Sequence, residues 1–119
     1  MSLLDTFDMN EEEQSKRLEF LEITDEDRKR LHSVHDLVIE HADSVIEKLY
    51  NHLMEHEQTR SFFADPEVLR RVKKHQRQYF LELTEGKVDS EYFENRFRVG
   101  DTHQRIELLP QWYLGLYSL

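Results

Sequence analysis

The chain predicts an all-α fold. Three glycines and two prolines in 119 residues are too few for a turn-rich β protein. Apolar residues recur three and four positions apart, the repeat of a helix with one buried stripe. Apolar residues make up 38% and charged residues 34%, and seven phenylalanines, five tyrosines and one tryptophan supply bulk for a single core. The length fits one domain.

Residues 1–23 read as a polar N-terminal leader with a short helix from about Glu11 to Leu21. A domain of residues 24–119 follows. Thr24 ahead of Asp25, Glu26 and Asp27 places a capping oxygen and acidic groups at the positive end of a helix. That helix, with Leu31, Val34, Leu37 and Val38 on one face, is expected to run to about His41. A second, from about Ala42 to His56, carries the wide stripe Ala42, Val45, Ile46, Leu49, Tyr50 and Leu53. No Pro or Gly marks the boundary between them. Thr59 to Asp65 reads as a short turn before Asp65-Pro66 opens a long helix to about Leu83, with Asp65 as cap and Pro66 in the first turn. Its apolar face holds Val68, Leu69, Val72, Tyr79, Phe80 and Leu83. Thr84-Glu85-Gly86-Lys87 ends it. Asp89 or Ser90 starts the next helix, through roughly His103, using Tyr92, Phe93, Phe97 and Val99. Pro110 restarts a very apolar segment, Trp112 to Tyr117.

A net charge of −9 disfavours nucleic acid and anionic membranes as partners. The absence of cysteine excludes disulfides, thiolate zinc sites, cysteine-ligated iron–sulfur clusters and covalent c-type haem attachment. No apolar run approaches the roughly 18 residues that span a membrane. The first residues lack the basic and apolar regions of a signal peptide. A cytoplasmic location is the expectation.

His103 is the leading candidate for chemistry. It lies near the end of an amphipathic helix, one turn after Val99, with Pro110 and the pair Trp112-Tyr113 close behind. On spacing alone it is a metal ligand, a core histidine or a surface one. His75, between Val72 and Tyr79, is expected to face with their apolar stripe, as a ligand, a hydrogen-bonded core histidine, or a boundary residue beside the basic run Arg70 to Lys74. Tyr50 reads as a buried ring in need of a hydroxyl partner. His52 and His56 stand four apart and such a pair can bind zinc. The Lys48 ammonium one turn earlier opposes that, and a solvated face is the better account of them and of His32 and His35. No paired Glu-x-x-His motif of a di-iron bundle, nucleophile set, phosphate loop or catalytic carboxylate pair is present. Glu11-Glu12-Glu13 is a solvated charge run.

The run Arg96-Phe97-Arg98-Val99-Gly100-Asp101-Thr102-His103-Gln104-Arg105-Ile106, continued by Leu108, Pro110, Trp112 and Tyr113, resembles the globin sensor domains of bacterial globin-coupled sensors. Their pattern runs roughly R-x-x-[IV]-G-x-x-H-x-R-I-x-L-x-P-x-W-Y. The resemblance is strongest from about Asp89 to Tyr117 and extends from Thr24 onward; Glu107 replaces a glycine common there. It implies a globin-like helical fold around non-covalent haem b, with His103 as proximal iron ligand. Val72 and Val99 would line the pocket. Tyr50 aligns with a distal tyrosine that donates a hydrogen bond to bound oxygen. Tyr113 resembles a second pocket tyrosine, with ordinary helix packing as the other account. His75, where many relatives carry a small or weakly polar residue, would be a distal ligand or a pocket residue.

The family implies a ligand-sensing domain rather than an enzyme, responding to a diatomic gas: oxygen, carbon monoxide or nitric oxide. It further implies signalling through helix rearrangement in a homodimer and an output module outside these residues. Such domains continue beyond the Pro110 helix, so the fold is expected to be truncated before its last helix. Two rivals stand beside this reading. A non-haem globin-like interaction domain of a stress-signalling scaffold would lack a histidine at position 103. A nitric oxide dioxygenase or peroxidase-like globin would need an electron source that nothing here encodes.

Overall fold

The computed structural model describes residues 2–119. Met1, the first residue of the predicted leader, lies outside them. The described chain is all-α, with eight α-helices, two short 3-10 turns and no strand.

The first helix, α1 (Leu3–Thr6), is absent from the sequence reading. Ser2 and Asp5 cap each other reciprocally, and the Glu94 carboxylate accepts the amides of Leu3 and Leu4 at 3.1 Å each. Four residues make a helix here because a distant carboxylate satisfies amides that would otherwise need water. The next, α2 (Glu11–Phe20), starts under an Asn10 cap. Thr24 and Asp27 form the capping box of α3 (Asp25–Ser33).

The 21-residue α4 (His35–Glu55) corrects the expected boundary near His41 and Ala42. The break falls at Val34 instead, where the backbone leaves helical geometry. Tertiary contacts fix it there. His32 Nδ1–H donates to the Glu85 carbonyl at 3.0 Å, and His35 Nδ1 pairs with Thr84 Oγ1 at 2.9 Å. The loop they grip turns at Gly86, whose φ is +82°. A Cβ there would meet the Arg28 carbonyl oxygen at 3.0 Å, so glycine suits both the conformation and the space.

After α5 (Glu57–Arg60) and a 3-10 turn at Ser61–Phe63 comes α6 (Pro66–Leu83), capped by Asp65 with Pro66 in its first turn. Asp89 caps α7 (Ser90–Arg105). Pro110 opens α8 (Pro110–Gly115), followed by a 3-10 turn at Leu116–Ser118. The starts of α6, α7 and α8 match the sequence expectation because each carries its own cap or proline, whereas α5 begins two residues before the expected turn at Thr59, with no side-chain cap.

Two packed units result. In the first, α4 lies against α6. Ile46, Tyr50 and Leu53 form the buried cluster, covered by Leu49, Phe63, Leu69, Phe80 and Leu116. Ion pairs Arg77–Asp43 (2.7 Å) and Lys73–Glu47 (3.1 Å) run along its solvent edge. In the second, α7 packs on α1 and α2. Phe7 stacks on Phe97 with ring centroids 5.1 Å apart, and the buried Gln14 amide donates to the Met9 carbonyl (3.1 Å) and Ser90 Oγ (3.0 Å). Residues of the predicted leader thus pack on α7.

Arg96 joins the two units. Its guanidinium lies between the rings of Tyr79 (4.2 Å) and Tyr92 (3.9 Å) and donates to Glu82 Oε2 at 2.9 Å. The array is open. Its radius of gyration is 15.7 Å, against roughly 13.5 Å for a compact chain of this length. Buried apolar side chains are confined to Met9, Ala42, Ile46, Tyr50 and Leu53 among the described residues. Much of the inward apolar surface of α6, α7 and α8 is only half-buried.

Candidate functional site

His103 lies in the last turn of α7, half-buried with Val99 one turn before it. Its ring stacks on Tyr113 of α8, with centroids 5.0 Å apart and planes 17° off parallel. Burial alone pushes its pKa below the ordinary histidine value of 6.5; no hydrogen bond or charge contributes. At neutral pH the imidazole is therefore uncharged, the form that ligates iron or zinc.

The backbone around His103 is held by the end of its helix. The Leu108 amide donates to the His103 carbonyl (3.0 Å), and the Glu107 amide to the Gln104 carbonyl (3.1 Å). This is a Schellman motif, which requires a left-handed residue just past the helix. That residue is Glu107, at φ +58°. The departure from glycine noted in the sequence thus falls where glycine is conformationally favoured. Asp8 and Glu22 occupy equivalent left-handed positions after α1 and α2.

Tyr50, on α4, is 4% exposed and its ring meets Phe63 edge-on at 5.5 Å. Burial, with no hydrogen bond contributing, pushes its phenol up to about 12. Among the described residues Arg96 Nε is the buried side-chain atom that is both unpaired and fully sealed; the Tyr50 hydroxyl is not fully sealed from solvent. A buried, protonated and unpaired donor costs stability unless something accepts from it.

Val72 lies half-buried on α6, the helix packed against α4. His75 does not share that burial. It is exposed, whereas the spacing placed it with the inward stripe. Three residues advance a helix by about 300°, so His75 sits about 60° round from Val72, at the stripe's edge beside Lys74. The structure thus gathers His103, Val99 and Tyr113 on one side and places Tyr50 and Val72 on the packed helices α4 and α6, with His75 on the rim of α6.

Two surface grooves, of about 430 and 420 Å³, lie elsewhere: one between α2 and the start of α7, the other beside Arg28, His32 and Gly86. Neither reaches His103 or Tyr50, and both are shallow and water-facing, unsuited to a large apolar ligand. Sequence reasoning gave Arg96 no role of its own. As the first fixed residue of the His103 run it could have been singled out, but its two tyrosine partners lie on different helices.

The donor set fits haem. A neutral imidazole without a competing partner can take iron, half-buried apolar side chains flank it, and an unpaired phenol stands on the opposite helix pair. The lack of cysteine excludes a c-type thioether link to haem. Among the described residues no helix is long and apolar enough to cross a membrane.

Comparison with known proteins agrees with this geometry. The family model for Protoglobin matches residues 10–119. The chain is also 33% identical over 118 residues to the heme-based aerotactic transducer HemAT of Halobacterium salinarum, covering 98% of this chain and 24% of that protein. It therefore spans about a quarter of the length of this relative. With most of its length matched, its all-α architecture and its resemblance to globin sensor domains, this chain belongs to the protoglobin family.

Proposed function

We propose that this chain is a haem-binding sensor domain for a diatomic gas, with oxygen the foremost candidate. The observation that carries it is His103: a neutral, half-buried imidazole, free of hydrogen bonds and stacked on an aromatic ring, in a protoglobin chain. The heme-based relative supports haem as the cofactor, and we read it as haem b held non-covalently, since no cysteine is present for a thioether link. When bound, the haem supplies the iron at which a gas is held.

The chain's own residues do the rest. His103 holds the iron from α7. Tyr113, stacked on the ring, limits its rotation, so a displacement of the imidazole is passed to α8. Val99 and Val72 keep water from the site. The Tyr50 phenol, protonated at any physiological pH, donates to a ligand that carries partial negative charge and so favours oxygen over carbon monoxide. His75 would act from the rim of α6, either as a second ligand to the iron or by sharing the hydrogen-bonding role of Tyr50.

Signalling follows from the backbone. The His103 carbonyl is bonded to the Leu108 amide two residues before Pro110, so a shift of His103 moves the turn leading into α8. We read this as a population shift between two helix packings at a homodimer interface, relayed to an output module. The role is sensing rather than catalysis.

Hemin titration tests the proposal. The chain should take up one haem and develop a Soret band that His103→Ala abolishes or grossly alters. A chain that leaves the free hemin spectrum unchanged refutes it.

A further inference from the structure

Besides the haem site, the end of α4 brings three metal-ligating side chains together. His52, Glu55 and His56 each present one ligand atom, and these atoms lie within 4.8 Å of one another. The two imidazole rings are 4.7 Å apart and tilted by 57°. Spacing alone showed two histidines and an opposing lysine; the fold adds the carboxylate and the corner that aims the second ring.

That corner is built, not frayed. His56 has left the helix, with φ −109° and ψ 125°. The buried Thr59 hydroxyl donates to the Leu53 carbonyl at 2.6 Å, and the amides of Thr59 and Arg60 donate to the His56 carbonyl at 3.1 and 2.8 Å. The backbone carrying all three ligands is thereby tied to α5. His52 is half-buried, while Glu55 and His56 are exposed, so a cation reaches them from solvent without opening the core.

We propose that His52, Glu55 and His56 form a surface site for a borderline divalent cation, with Zn²⁺ the best match. Two neutral imidazoles and one carboxylate are a recognised zinc set, leaving a fourth position to water. Bound ligand atoms at about 2.0–2.2 Å from zinc stand about 3.3 Å apart, so the side chains close by at most about 1.5 Å from the present spread of up to 4.8 Å. Exposed rotamers allow that. The Glu55 charge offsets the Lys48 ammonium four residues before His52, and Lys48 is exposed and can turn away. The C-terminal dipole of α4 adds to the attraction for a cation.

The test is titration of the chelator-stripped, haem-loaded chain with ZnCl₂ against a chromophoric zinc indicator, with circular dichroism confirming that each variant is helical. One Zn²⁺ should bind per chain. His52→Gln and His56→Gln should each weaken it at least tenfold, and Glu55→Gln by a smaller factor. His32→Gln, on α3, should leave it unchanged, and in the haem-loaded chain His103 is occupied, which separates this site from the haem ligand. Co²⁺ in place of zinc should give a visible spectrum that His56→Gln removes. No saturable binding, or binding indifferent to both His52→Gln and His56→Gln, overturns the assignment.

Discussion

Tyr50→Phe removes one oxygen atom from a buried ring and should move two properties in opposite directions. In the haem-free chain the phenol is 4% exposed and makes no hydrogen bond that affects its ionisation. An unsatisfied buried donor costs about 1–3 kcal/mol, and the remaining path to solvent places Tyr50 at the low end. The Phe variant should therefore be as stable as the parent or up to about 1 kcal/mol more stable in urea unfolding. In the haem-loaded protein it loses a donor to a partly charged ligand, worth about 1.5–3 kcal/mol. Oxygen release by stopped flow should quicken roughly 10- to 150-fold, while carbon monoxide release changes little. Alkaline difference spectra near 295 nm supply a third readout. Tyr50 should titrate near 12, as should Tyr79, so the variant should lose the amplitude of one phenol from that step. Because the folded value exceeds the unfolded one, near 10, stability from this group is full below pH 10 and is lost as pH rises towards 12. A destabilised variant with an unchanged oxygen release rate would show that the hydroxyl is structural and refute the reasoning.

Other perturbations test the frame around the site. Glu107→Gly should raise stability by about 1 kcal/mol, since a side chain at φ +58° is strained where glycine is not; thermal unfolding should rise by roughly 3–5 °C, and a lower midpoint would deny the left-handed turn. Arg96→Met should cost about 2 kcal/mol, less than the 3–5 of a fully buried ion pair, because Arg96 and Glu82 are 19% and 21% exposed. It should also speed haem loss to an acceptor apoprotein, by loosening α6 from α7; a variant that matches the parent in both would remove Arg96 as the link. Thr59→Val should weaken the α4–α5 corner by about 1 kcal/mol through the bond to the Leu53 carbonyl, detected in the urea midpoint.

Much of this architecture was legible in the sequence, for physical reasons. Helices α6, α7 and α8 announce themselves through Asp65-Pro66, Asp89 and Pro110, local signals that need no partner. The α3–α4 break did not, because hydrogen bonds from His32 and His35 to a loop about fifty residues away set it. Helix α1 was hidden for the same reason: Glu94 caps it from α7. His103 stood out through its neighbours, and the structure adds the Tyr113 stack and the Schellman turn that hold it. The expectation for His75 slipped because period counting placed a rim residue on the inner face. Grouping of His52, Glu55 and His56 depends on where the chain leaves α4, which spacing within an ideal helix cannot show.

The sensor reading stands on a bond between His103 and haem iron. Absorption spectra of the hemin-titrated chain in ferric, ferrous and carbon monoxide forms probe that bond, beside His103→Ala and His75→Ala. A saturable Soret band should develop at one haem per chain and be lost or grossly altered in His103→Ala. In His75→Ala the band should persist, losing any low-spin character if His75 is the sixth ligand. An unchanged Soret band and carbon monoxide spectrum in His103→Ala would contradict it.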